Sequence, residues 1–265
     1  MTSPLRNTII AVAAAAAVAG SSPADAASRI ADDQAVRTVV LVHGAFADGS
    51  GWRGVYDELT ARGYRVAIVQ NPLTSFEDDV NATRRILARQ EGPSILVGHS
   101  YGGSVITEAG TDPNVAGLVY VSALAPDVGE STGDQFAEIP APKEFVIETG
   151  ADGFGFVNRE LFQAGFAGDT SDPDAAFLRD SQVPINMAIF GTRLTQAAWR
   201  SKPSWAVVAT QDHAIDPRLL RQQADRIGAE VVEVEASHVP FLTQPLAVAD
   251  VIDRAARTVS QAATR

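Results

Sequence analysis

Short, uninterrupted apolar runs recur along this chain, and segments with helical spacing lie between them. Thr38 to Val42 is the first such run, β-branched apart from Leu41, as expected of a strand covered on both faces. Similar runs follow at Arg65 to Val69, Ser94 to Val97, Ala116 to Val121, Trp205 to Ala209 and Glu230 to Val234. The helical segments are Trp52 to Arg62 ending at Gly63, Phe76 to Gln90, Val105 to Ala109, Pro217 to Ile227 ending at Gly228, and Pro245 to Gln261. Ser75 with Asp78 three residues on opens the second like a capping box, and Pro217 suits the first position of its helix. Strands alternating with helices imply right-handed βαβ units and a mostly parallel sheet. The spacing predicts an α/β fold with about six strands, all buried, flanked by helices.

One stretch breaks this rhythm. From about residue 126 to about residue 203 no buried strand is evident, and eight of the 11 Phe fall there. A helical cap insertion over the carboxyl edge of the sheet accounts for both facts. With no internal repeat and no linker, residues 27–265 read as one domain carrying that cap.

The first thirty residues read as an address. Arg6 precedes an apolar run from Thr8 into an alanine-rich stretch, and Ala24-Asp25-Ala26 is an A-x-A cleavage pattern. Residues 1–26 therefore read as a signal peptide, too short in its apolar part to span a bilayer. The chain has no Cys, which excludes disulfides, thiol catalysis, Cys-ligated zinc, Cys-bound iron–sulfur clusters and a lipoprotein anchor. Export without disulfides points to a bacterial secreted or periplasmic protein. The formal net charge of -11, from 21 basic and 32 acidic residues, argues against a nucleic-acid partner.

The chemistry concentrates at strand ends. Gly98-His99-Ser100-Tyr101-Gly102 is a G-x-S-x-G between a strand and a helix, the context that motif requires. Ser100 then occupies a sharp turn with its hydroxyl clear of the sheet. A serine hydroxyl needs a neighbouring base, and His238, beyond the last strand, can reach the same crevice because parallel strands share one carboxyl edge. Asp212 follows the preceding strand and is assigned as the acid that orients His238. Asp216, just before a helix, is its rival and reads as an N-cap. Backbone N–H groups of Tyr101, after the nucleophile, and Ala45, in His43-Gly44-Ala45-Phe46, are the expected oxyanion donors. That loop lacks the glycine pattern and Lys of a phosphate cradle.

With these residues in order, the sequence resembles the α/β-hydrolase superfamily over essentially its whole mature length. His43-Gly44-Ala45-Phe46 through Gly51-Trp52 is similar to the compact subgroup of plant methyl-ester esterases, hydroxynitrile lyases and related bacterial esterases. The resemblance implies a carboxylesterase cleaving small soluble esters through an acyl-enzyme, with no metal or organic cofactor. Lyases of that subgroup carry Thr and Lys where this chain has Gly44 and Val239, so nothing evident would receive a departing cyanide. A haloalkane dehalogenase needs Asp where Ser100 stands. A perhydrolase, a cofactor-free dioxygenase or a non-catalytic binding protein on the same scaffold stays open, because fold does not fix chemistry. Phe46, Phe154, Phe156, Phe241 and Tyr101 are the expected pocket residues, Tyr101 and Phe46 foremost because they flank the oxyanion donors.

Overall fold

The computed structural model describes residues 35–263, so the signal peptide read at residues 1–26 lies outside the described residues. In chain order the elements are β1 Thr38–Val42, α1 Arg53–Ala61, β2 Arg65–Val69, α2 Phe76–Leu87, β3 Ser94–His99, α3 Gly102–Ala109 and β4 Val115–Val121. There follow β5 Ile147–Thr149, β6 Phe154–Val157, α4 Phe162–Phe166, α5 Asp172–Asp180 and β7 Ile185–Asn186. The chain ends with β8 Ser204–Ala209, α6 Pro217–Arg226, β9 Glu230–Val234, α7 Pro240–Thr243 and α8 Pro245–Ala263.

Six of the strands form one sheet in the order β2-β1-β3-β4-β8-β9, and every neighbouring pair is parallel. From β1 the chain steps to one side to make β2, then crosses back to make β3. That reversal opens a crevice outside the carboxyl ends of β1 and β3, where open α/β sheets bind ligands. Helix α1 packs against α8 and α2 against α3, the pairing expected of right-handed crossovers.

The central strands match the sequence reading: β1 and β3 are buried along their whole length. The edge strands do not. Residues of β2 and β9 are mostly half-buried or exposed, because each has a neighbour on one side only. Arg65, Glu230 and Glu233 place charges on these edges, which discourages pairing with another chain. The helix starts also follow the sequence. Ser75 Oγ accepts the Asp78 N–H at 3.0 Å, and Asp216 caps α6 by accepting the Arg218 N–H at 2.8 Å.

Between β4 and β8 the chain differs from the helical insertion expected. It contains α4 and α5, but also an antiparallel sheet in the order β5-β6-β7. These strands are two to four residues long, too short for periodicity to separate them from loop. Among the described residues no helix is long and apolar enough to cross a membrane.

The return of this insertion to the sheet is held by one carboxylate. Glu108, buried on α3, accepts the Thr195 N–H at 2.8 Å, the Thr195 hydroxyl at 2.6 Å and the Gln196 N–H at 2.9 Å. Removing it would take the shared acceptor from two backbone donors and a hydroxyl and leave a gap at a buried side chain. Glu108→Ala should lower unfolding free energy by roughly 2–4 kcal/mol, measured by urea denaturation. A loss under about 0.5 kcal/mol, ordinary for a surface change, would refute the clamp.

Candidate active site

The geometry begins with a backbone constraint. Ser100 follows β3 with φ of 53°, a left-handed conformation that costs a non-glycine residue roughly 1–2 kcal/mol. It is tolerated because the turn is fastened on both sides. Ser100 donates its N–H to Val121 O at 3.2 Å, and its carbonyl accepts from Gly103 N at 2.9 Å and Leu124 N at 3.3 Å. Glycine gives the clearance this turn needs: a Cβ at Gly98 would lie 2.5 Å from Gly102 O, and one at Gly44 would lie 2.9 Å from Ser100 Cβ. The loop after β1 therefore runs directly against the serine.

Ser100 Oγ is 2.9 Å from His238 Nε2, and His238 Nδ1 is 2.7 Å from Asp212 Oδ2. The Asp212 carboxylate is buried and can only accept, so His238 Nδ1 carries the proton and Nε2 offers its lone pair to the serine. Asp212 is itself fixed, since its Oδ1 accepts the N–H groups of Ala214 and Ile215, both at 2.8 Å. The three residues come from loops after β3, β8 and β9 and converge on one edge of the sheet. Asp216 stays apart as the cap of α6, its carboxyl held below the usual range chiefly by hydrogen bonds from the Arg218 side chain.

Two other histidines pack around the site. His43 donates from Nδ1 to Gly44 O and accepts the Asn71 N–H at Nε2, both at 2.9 Å. Asn71 Nδ2 donates back to His43 O at 2.8 Å. Burial, the dominant cause, holds the His43 pKa below its ordinary value, so this ring is a neutral strut under the Ala45 loop. His99 donates from Nε2 to the His238 carbonyl at 2.8 Å and lies with ring centroids 4.7 Å from His238. Burial first, then the neighbouring His238, push the His99 pKa well below its usual value. Among the described residues, no acceptor within the protein takes the N–H of Ala45 or of Tyr101.

A cavity of about 260 Å³ opens beside Ser100 and His238, lined by Ala45, Phe46, Tyr101, Leu124, Thr132, Gly133, Phe136, Ala141, Phe145, Ile147, Phe190, Ala214 and Ile215. No Asp, Glu, Lys or Arg belongs to this lining. Phe46 and Tyr101 are where the sequence placed them; Phe154, Phe156 and Phe241 are not. Strand alternation puts Phe154 and Phe156 on one side of β6, while Gly155 and Val157 face the buried side. Phe156 is 42% exposed and borders a separate polar cleft with Arg159 and Asp180. Phe241 packs behind the site, with ring centroids 4.8 Å from Trp52 and 4.6 Å from His99. Phe136, Phe145 and Phe190 take their place, and only the general excess of Phe between residues 126 and 203 signalled them. Among the described residues no group of three or more His, Asp or Glu is placed to hold a metal ion.

The His99 bond has a measurable consequence. In His99→Phe the buried His238 carbonyl loses its donor, so stability should fall by roughly 1–3 kcal/mol in urea denaturation. His99→Gln, which keeps an N–H donor, should lose less. Equal losses in the two would remove the hydrogen bond from the explanation.

The fold and sequence have known relatives. A sequence model described as the alpha/beta hydrolase family matches residues 39–251. The chain is 30% identical over 248 residues to a pyrethroid hydrolase of Sphingobium wenxiniae, covering 82% of this chain and 86% of that protein. A crystallised pyrethroid hydrolase, PytH, superposes with a TM-score of 0.70 at 26% identity, covering 82% of this chain and 98% of the other. Polyneuridine aldehyde esterase superposes with a TM-score of 0.72 over 83% of this chain and 98% of its own, at 18% identity, a likeness of fold alone.

Proposed function

The chain belongs to the α/β-hydrolase family, with pyrethroid hydrolases among its relatives, and we propose that within it this protein is a serine carboxylesterase for small neutral esters. One observation carries this reading: an unbroken Ser100–His238–Asp212 relay, with links of 2.9 and 2.7 Å, opening onto an apolar cavity.

The chemistry follows from that geometry. His238 Nε2 takes the Ser100 proton as Oγ attacks the ester carbonyl. The resulting oxyanion rests on the N–H groups of Ala45 and Tyr101, fixed donors whose strength lies in already pointing at the developing charge. His238 then protonates the leaving alcohol oxygen, the C–O bond breaks and an acyl-Ser100 ester remains. Water repeats the sequence in reverse: His238 removes its proton, the hydroxyl adds to the acyl carbon, and Ser100 leaves with the proton returned. Asp212 stabilises the imidazolium that forms twice per cycle. No step calls for a metal or organic cofactor.

The lining sets the substrate class. Moving a charged group into a site with no countercharge is costly, so carboxylate-bearing esters are disfavoured. A cavity of about 260 Å³ lies at the small end of ligand sites and suits a short chain or a single ring. Action outside the cytoplasm is part of the proposal and rests on the sequence of residues 1–26.

Labelling with a fluorophosphonate tests the reading. A single adduct should map to Ser100 and vanish in Ser100→Ala and His238→Ala, and each variant should lose about 10⁴-fold or more in kcat on a neutral nitrophenyl ester. Folded protein that takes no label and turns over no ester would overturn the assignment in favour of a binding protein. Among esters of equal length, one with a terminal carboxylate should have a kcat/KM lower by about 10-fold or more. Equal values would show that the cavity does not select against charge.

A further inference from the structure

One buried acid next to the site takes no part in the relay. Asp79 lies on α2 with no exposed surface, although its neighbours along that stripe, Phe76, Val80, Thr83 and Leu87, face the core. Its Oδ2 accepts the Tyr101 hydroxyl at 2.7 Å, and its Oδ1 accepts the Leu73 N–H at 2.8 Å. Both partners matter to the cavity. Tyr101 is the residue after Ser100, and its ring is a cavity wall whose edge meets Phe190 at 6.0 Å between centroids. Leu73 stands in the left-handed region with φ of 58°, and its carbonyl accepts the Asn186 N–H of β7 at 2.9 Å. One carboxylate therefore fastens the far end of the Tyr101 ring and the loop on which the insertion stands.

Apolar packing alone would leave the Tyr101 ring free to slide along Phe76 and Phe190. A ring pinned at its hydroxyl as well as at its own backbone cannot slide, and the Tyr101 amide at the backbone end is held in one direction with it. We propose that Asp79 is a positioning residue for ester hydrolysis, acting through Tyr101 to hold the cavity wall and the Tyr101 N–H in the geometry the oxyanion requires. This rests on the esterase reading above.

A residue kept only for stability would be a poor choice here. Burial, the largest cause, outweighs the Tyr101 and Leu73 hydrogen bonds and raises the Asp79 carboxyl to about 6, with Asp78 adding to the rise. Tyr101 from the start of α3 and Asp78 on α2 are the titratable groups that face it. Since the folded pKa lies above the unfolded value, the folded state binds the extra proton between about pH 4 and about pH 6. The fold thus gains from Asp79 protonation in acid and loses that gain as pH rises through about 6.

The test uses full-length mature enzyme and the variants Asp79→Asn, Tyr101→Phe and both together. Readouts are kcat and KM on a neutral nitrophenyl ester, fluorophosphonate labelling, and Tm from about pH 4.5 to about pH 8. Each single variant should lose about 10-fold in kcat/KM, mostly in kcat, and the double variant should lose no more than the worse single, because both remove the same contact. The Tm of Asp79→Asn relative to the parent should climb as pH rises, the reverse of what loss of a stabilising ion would give. Values of kcat and KM within about twofold of the parent, or losses that multiply in the double variant, overturn the proposal. If Asp79→Asn does not fold, Tyr101→Phe decides alone, and unchanged kcat there overturns it. A parent labelled at Ser100 beside unaffected variants sinks the role of Asp79 only, whereas an unlabelled, inactive parent sinks the esterase reading and this proposal together.

Discussion

The left-handed turn at Ser100 is the constraint on which the rest of this structure depends. A buried parallel strand must end, reverse into a helix and expose one hydroxyl within a single residue. The chain meets that demand by putting Ser100 at φ of 53° and surrounding it with backbone rather than side chains. A Cβ at Gly103 would lie 2.2 Å from Leu124 O, and one at Gly102 would lie 2.8 Å from His43 O. The turn is thus wedged between the loops after β1 and β4. Strain of roughly 1–2 kcal/mol is sustained because those loops cannot move apart without breaking the ends of the sheet. The strand order supplies the same loops with their open crevice, so topology and local strain select one place for a nucleophile.

Electrostatics then separate the site into two regions. Around the relay, Asp212, His238 and His43 each have partners of definite role, whereas the buried His99 Nδ1 and Asn71 Oδ1 have none among the described residues. Asp212 accepts from two amides and one imidazole, and His43 is fixed as a neutral strut between Gly44 and Asn71. The His238 backbone is tied to His99. Across the mouth of the relay the lining holds aromatic and aliphatic groups with no formal charge. In such low-polarity surroundings hydrogen bonds are stronger than at the surface, which is what the proposed oxyanion donors would exploit. The absence of formal charge in that lining is the ground for the proposed preference for neutral esters.

Much of this was legible in the sequence because its physics is local. The six main strands, the caps at Ser75 and Asp216, and the convergence of Ser100, Asp212 and His238 follow from period, turn residues and the common carboxyl edge of a parallel sheet. Two failures have distinct causes. Edge strands were read as buried because β2 and β9 carry apolar runs, while which strand lies at an edge is settled by the order of pairing. The cavity wall was misassigned because a four-residue strand inside an insertion gives too little pattern to tell which Phe faces inward. Phe154 and Phe156 turned outward on β6, while Phe136, Phe145 and Phe190 turned in.

One signal was present and went unread. Phe76, Val80, Thr83 and Leu87 repeat at helical spacing, and Asp79 falls inside that stripe. An acid on the apolar face of a helix must find donors in the core or cost the fold several kilocalories. Its partners lie among groups that a helix beside β3 can reach, and Tyr101, the first residue past Ser100, is one. Asp212 is also buried but accepts three hydrogen bonds, whereas Asp79 accepts two. The less satisfied carboxylate is the one joined to the cavity wall and to the footing of the insertion. A fold that retains a charge it would be more stable without, beside Ser100 and against the cavity wall, fits the proposed positioning role rather than a stabilising one.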